Sequence, residues 1–191
     1  MKVLGISILN ELICACVLIA AYITVLVKVY RGTHFQIVTK ILILLLVSNI
    51  GTVINTYASY FLLIKERTSF MNVLLLSIGE SVQDSCFGVA HWIFAMQFYR
   101  IGTDLPLIVE GRPLSIQMIA SRKLVSNIML GLNIFFPVLT GIILVFFNIK
   151  VDDKDNPPSA AIEFIAFFAP DVTGLLLTVS GVVLIIGVYK I

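Results

Sequence analysis

Five long apolar runs, separated by short polar or charged connections, limit what this chain can fold into more than any other feature. A helix rises about 1.5 Å per residue, so roughly 20 apolar residues cross a hydrocarbon core of about 30 Å. The runs fall at about 6–30, 37–64, 81–101 (with an outer extension at 71–80), 124–149 and 172–189 (with a possible extension at 161–171). In lipid a backbone must satisfy its own amides, so runs of this length form α-helices. The expected fold is therefore all-α: a polytopic transmembrane bundle of about five spans forming a single membrane domain. Composition agrees, since only 13% of residues are charged and mean hydropathy is +1.05, whereas a soluble domain carries roughly 25% charged residues.

Polar residues inside the spans are the places where function has to be built. An ionisable side chain at membrane depth costs about 2.5–3.5 kcal/mol on insertion scales, so each one invites a reason. On the third helix Ser77, Glu80, Asp84, Gly88, His91 and Ala95 follow at steps of three or four and share one face, which is expected to look into the bundle. Asp84 and His91 are seven residues apart, roughly 10 Å along the axis, so a water or a neighbouring helix would have to link them. On one reading Glu80, Asp84 and His91 form a proton path or ligand-contacting stripe, because histidine changes charge near neutral pH. On the other, Asp84 is wetted near the outer interface and neutral His91 serves helix packing.

The remaining helices carry quieter stripes. Ser48, Thr52, Asn55 and Ser59 line one side of the second and could face His91; Asn133, Pro137 and Thr140 share a side of the fourth. Asp171, Gly174, Thr178 and Gly181 give the fifth a small and polar face suited to close backbone approach. The candidate intramembrane polar site is accordingly Glu80, Asp84, His91, Ser48, Thr52, Asn55 and Asp171. Trp92, Phe94, Phe98 and Tyr99 form an expected aromatic cluster, read either as an interfacial anchor or as a ligand contact.

Charge sets the expected orientation. With the N-terminus outside, Lys28, Arg31, Lys40, Arg100, Arg112, Arg122, Lys123 and Lys190 lie inside, against Lys2, Lys65, Arg67, Lys150 and Lys154 outside. That bias puts the C-terminus in the cytoplasm. A net charge of +2 gives no nucleic-acid footprint. Cys14, Cys16 and Cys86 lie in apolar runs and read as small buried side chains. Asp152, Asp153 and Asp155 lack the glycine turn and distal glutamate of a calcium loop. No phosphate loop, nucleophile elbow or Cys-x-x-Cys occurs, so neither an enzyme nor a cofactor is expected.

The run A-H-W-I-F-A-M-Q-F-Y at 90–99 resembles a segment closing the third span of uncharacterised seven-helix membrane proteins of ciliates and other protists. There an A-H-W-I-F-A pattern is followed by an aromatic pair. The resemblance implies a multi-pass architecture, with this chain as a C-terminally truncated member, because it ends at the edge of its fifth span. Phe98-Tyr99-Arg100 is not the acidic-Arg-aromatic motif of the large receptor class. Three functional classes stay open: a receptor or sensor, a small transporter or proton-path protein, and a structural subunit of a larger membrane complex. The lipid bilayer is the expected partner, with other membrane subunits possible.

Overall fold

The computed structural model describes residues 2–31, 36–64, 70–151 and 160–191. They form five helices: α1 Lys2–Arg31, α2 Gln36–Ser59 closed by a π-helical turn Tyr60–Ile64, α3 Phe70–Val109, α4 Ile116–Val151 and α5 Ala160–Tyr189. No strand occurs among the described residues. All five helices contain a stretch long and apolar enough to cross a bilayer, the shortest being Asp171–Tyr189 at 19 residues. The chain is a multi-pass membrane protein with an all-α fold. Lys65, Arg67, His34 and the acidic 152–159 connection with Asp152, Asp153 and Asp155 lie outside the described residues.

Burial follows the logic of a solvent that is itself apolar. Large side chains such as Ile6, Val17, Leu124, Phe135 and Ile185 face outward, while α3 buries Ser77, Gly79, Gly88, Ala90 and Ala95. Lipid gives Leu and Ile no incentive to leave it, so small residues that admit a neighbouring backbone occupy the interfaces. Among the described residues Trp92, Met96, Met129 and Leu176 form a cluster of larger buried side chains, where α3, α4 and α5 meet.

α3 is the hub. It packs on α2, α4 and α5; α4 also packs on α5, and α1 rests on α2 and its π turn. Among the described residues α2 makes no contact with α5, and α1 none with α4 or α5. The α2–α3 crossing is set by two glycines. A Cβ at Gly51 would fall 2.7 Å from the Gln83 nitrogen and 2.8 Å from the Gly79 oxygen; one at Gly79 would fall 2.6 Å from the Asn55 nitrogen. Gly187 does the same between α5 and α3, its Cβ position lying 2.5 Å from the Tyr99 nitrogen. Between α3 and α4, Ser81 Oγ donates to the Pro137 carbonyl at 3.0 Å and Trp92 Nε1 donates to Ser126 Oγ at 3.2 Å.

The helices run past the span limits read from the sequence. α3 continues through Pro106 to Val109, and α4 begins at Ile116, so the connection expected at 102–123 shrinks to 110–115. Pro106 removes only one amide near the helix end, which the last turn tolerates. Termination comes instead at Gly111, with φ +68°. There Arg112 N–H bonds the Leu107 carbonyl at 2.9 Å and Gly111 N–H bonds the Ile108 carbonyl at 3.1 Å, a Schellman closure.

Two expectations about faces need correction. On α5 the stripe Asp171, Gly174, Thr178, Gly181 does not pack. Asp171, Gly174 and Thr178 are exposed, and nothing lies within 4 Å of a Cβ built at Gly174 or Gly181. The buried side carries Thr173, Leu176, Ser180 and Gly187. α5 has two small-residue stripes, and only contact with α3 distinguishes them. On α1, Cys14 and Cys16 are exposed, because a helix resting on a single neighbour buries little beyond Ala15.

Candidate functional site

Helix register fixes how deep each polar group lies. Ser48 Oγ donates to the Gln83 carbonyl at 2.8 Å, and Ser48 sits next to the centre of the apolar span Gln36–Leu62. On the other side Asn133 abuts Gly88, close to the centre of the span Ile116–Phe146. Both registers put Asp84 within roughly 10 Å of the midplane, at 1.5 Å per residue. The core's half-thickness is about 15 Å, so on these registers Asp84 lies roughly a turn inside the outer boundary.

Glu80 and Asp84 are one turn apart on α3 and partly buried. Neither forms an ion pair with a described residue; the pairs present are Arg112 with Glu110 and Arg122 with Asp104. His91 lies two turns beyond Asp84, with Phe87 between them stacked on the imidazole at 6.1 Å between ring centroids. The three side chains therefore do not form a continuous polar chain.

His91 instead lines an open cavity of about 330 Å³ together with Tyr22 of α1, Ile41 and Leu45 of α2, and Phe87, Ala90 and Phe94 of α3. Its Nδ1 is buried and has no hydrogen-bond partner. The walls are otherwise almost wholly apolar, with the Tyr22 hydroxyl the other polar group among the lining side chains.

The α2 stripe does not face this cavity. Ser48 is bonded to α3 at Gln83, Thr52 Oγ1 donates to the Ser48 carbonyl at 3.3 Å, and Ser59 Oγ donates to Asn55 Oδ1 at 3.4 Å. The antiparallel register explains why. Moving from Gln83 to His91 on α3 moves α2 from Ser48 back to Ile41, so the histidine meets aliphatic side chains. Asp171 is exposed on the side of α5 turned away from the buried Thr173, Leu176 and Ser180, so it joins none of the other candidates.

The expected aromatic cluster also separates. Trp92 is only 2% exposed, in the core with Met96, Met129 and Leu176. Phe94, two residues and some 200° further round the helix, faces outward and packs on Phe98 at 4.8 Å. Tyr99 lies under the Arg122 guanidinium, 5.4 Å from it.

Several groups escape a reading of spacing. Tyr22 reaches the cavity from a helix that packs on α2, and no periodic signal marks it. Asp104 and Arg122 meet only because the α3–α4 connection is short and both helices continue into it. Asn133 is fully buried, its Nδ2 donating to the Met129 carbonyl at 2.8 Å while Oδ1, turned to Gly88, has no partner. Comparison with known protein families, with curated proteins and with solved structures gives no match to this chain.

Proposed function

We propose that this protein is a receptor- or sensor-like, non-enzymatic bundle that admits a small, mainly apolar ligand from the bilayer into the α1–α2–α3 cavity. His91 is the polar contact. The observation carrying this reading is the partly buried His91 imidazole on the wall of an otherwise apolar cavity of about 330 Å³. A polar group facing apolar surroundings without a partner costs about 1–3 kcal/mol, and a hydrogen bond from a ligand to the open edge of the imidazole would recover part of that. The volume falls at the lower end of the roughly 300–1,000 Å³ usual for small-molecule sites. Orientation belongs to the same reading, with the more basic connections in the cytoplasm and the N-terminus outside. So does the likeness of 90–99 to the seven-helix proteins of protists.

The test is a panel of compact phenols and alcohols, each paired with its methyl ether, added to the protein in nanodiscs while Trp92 emission and thermal stability are followed. Hydroxyl compounds should bind more tightly than their ethers, and His91→Phe should erase that difference. Persistence of the preference in the variant, or no response to any compound, refutes the reading.

A second reading, a small transporter or proton path, is supported by Glu80 and Asp84 lying partly buried one turn apart on α3. In reconstituted vesicles Asp84→Asn and His91→Ala should each abolish a pH-dependent flux; unchanged flux removes this alternative. A third, a structural subunit of a larger membrane complex, is supported by the open Gly174, Thr178, Gly181 stripe. Purification in mild detergent as a lone monomer would count against it.

A further inference from the structure

We propose that the tip of the α3–α4 hairpin is a docking surface for an amphipathic helix of a water-soluble protein, one whose apolar stripe is flanked by acidic residues. The inference needs only the multi-pass fold and stands whether or not the His91 cavity takes a ligand.

Its first support is position. Arg100, Arg122 and Lys123 mark the basic rim of the bundle, one to two turns beyond the Trp92–Ser126 bond. Past that rim α3 continues from Arg100 to Val109, about 13 Å, and α4 starts at Ile116, about 10 Å short of Lys123. The headgroup layer is only about 5–7 Å thick on each side, so the tip stands in water.

The second support is what the tip displays there. Ile108, Val109 and Ile116, the aliphatic side chains beyond the headgroup layer, are 61%, 78% and 84% exposed, while Leu105 and Ile119, 50% and 49% exposed, sit at its outer edge. Ile101, Leu105, Ile108 and Val109 follow at helical spacing, one continuous stripe along α3. In lipid such exposure is ordinary. In water, aliphatic side chains grouped this way mark an interaction surface.

Rigidity is the third. The turn is closed by the Gly111 cap, Ser115 accepts the first α4 amide from Ile119 at 3.1 Å, and Arg122 ties Asp104 to the stem while lying over Tyr99. A surface held in place loses little freedom on binding.

Charge decides the partner. Glu110 is paired with Arg112 and Asp104 with Arg122, whereas the exposed cations Arg100 and Lys123 have no acidic partner among the described residues. An acidic flank complements them and a basic one is repelled. An anionic membrane surface fits less well, since a helix that inserts there lies along the surface, and these two helices continue outward from membrane spans.

The test uses the full chain in nanodiscs of zwitterionic lipid and two fluorescein-labelled helical peptides, each with a leucine stripe, one flanked by glutamates and the other by lysines. The glutamate peptide should bind at least about tenfold more tightly, and Arg100→Glu with Lys123→Glu should reverse that preference. Ile108→Asp with Ile116→Asp should abolish binding of either peptide, with unchanged Trp92 emission showing that the bundle is intact. Val109→Trp in a Trp92→Phe background should be quenched by acrylamide and not by lipids brominated on their acyl chains. Equal binding of both peptides, binding of neither, quenching by the brominated lipids, or self-association of the chain that Ile108→Asp removes would each overturn the proposal.

Discussion

Replacing Gly51 by alanine tests the idea that α2 and α3 are held together by backbone approach rather than by large side chains. The new methyl would sit 2.7 Å from the Gln83 nitrogen, against 3.4 Å or more for an ordinary contact, so the helices must separate locally by about 0.7 Å. Overpacking of this kind costs about 1–3 kcal/mol. The same movement stretches the 2.8 Å Ser48 to Gln83 bond to the edge of hydrogen bonding, a further loss of about 0.6 kcal/mol in a membrane protein. Alanine's better helix propensity returns about 0.8–1.0 kcal/mol. Gly174→Ala is the control, because its methyl meets nothing within 4 Å and the propensity gain stands alone. The two variants should therefore differ by about 2–3 kcal/mol, around a thirtyfold or greater change in the folded-to-unfolded ratio. Reversible unfolding in mixed micelles on titration with sodium dodecyl sulfate, followed by circular dichroism and Trp92 fluorescence, measures that difference. Adding Gly79→Ala to Gly51→Ala should cost clearly less than the sum of the single effects, since one separation relieves both clashes. Variants equal to within about 0.5 kcal/mol would show that the crossing is not glycine-limited.

Ser126→Ala should remove the partner of Trp92 Nε1 and cost about 0.6 kcal/mol, with a blue shift of the tryptophan emission as the specific sign. Gly111→Ala forces a Cβ into φ +68° and should destabilise the hairpin by about 1–2 kcal/mol, seen as faster amide exchange at 105–112. Arg122→Met breaks a pair whose side chains are only 14% and 22% exposed. With Asp104→Asn in a double-mutant cycle, a coupling above about 1 kcal/mol is expected, more than an exposed pair gives; a coupling near zero would refute a structural role for the pair.

The number of helices and their membrane character are legible from the apolar runs, because length and hydropathy are local properties. Faces are legible only in part. Asn133 and Thr140 fall on the buried side of α4, as their spacing with Pro137 implies. The α5 stripe fails because Gly174 and Gly181 resemble Gly187 in sequence, and only the approach of Tyr99 separates them. Grouping Ser48 with His91 fails because register between antiparallel helices depends on where Gly51 and Gly79 meet. The length of α3 is not legible from Arg100, because the helix continues beyond it to Val109. A charged side chain marks a membrane boundary, not a helix end.

The 40 residues of α3 form a single rod about 60 Å long. Between His91 and Val109 lies an arm of roughly 27 Å, so a tilt of about 10° at the level of the imidazole sweeps the far end sideways by about 5 Å. Small rearrangements among Tyr22, Ile41 and Leu45 would thus be magnified mechanically at the far end of the hairpin, with α4 carried along through the Gly111 turn and the Asp104–Arg122 pair.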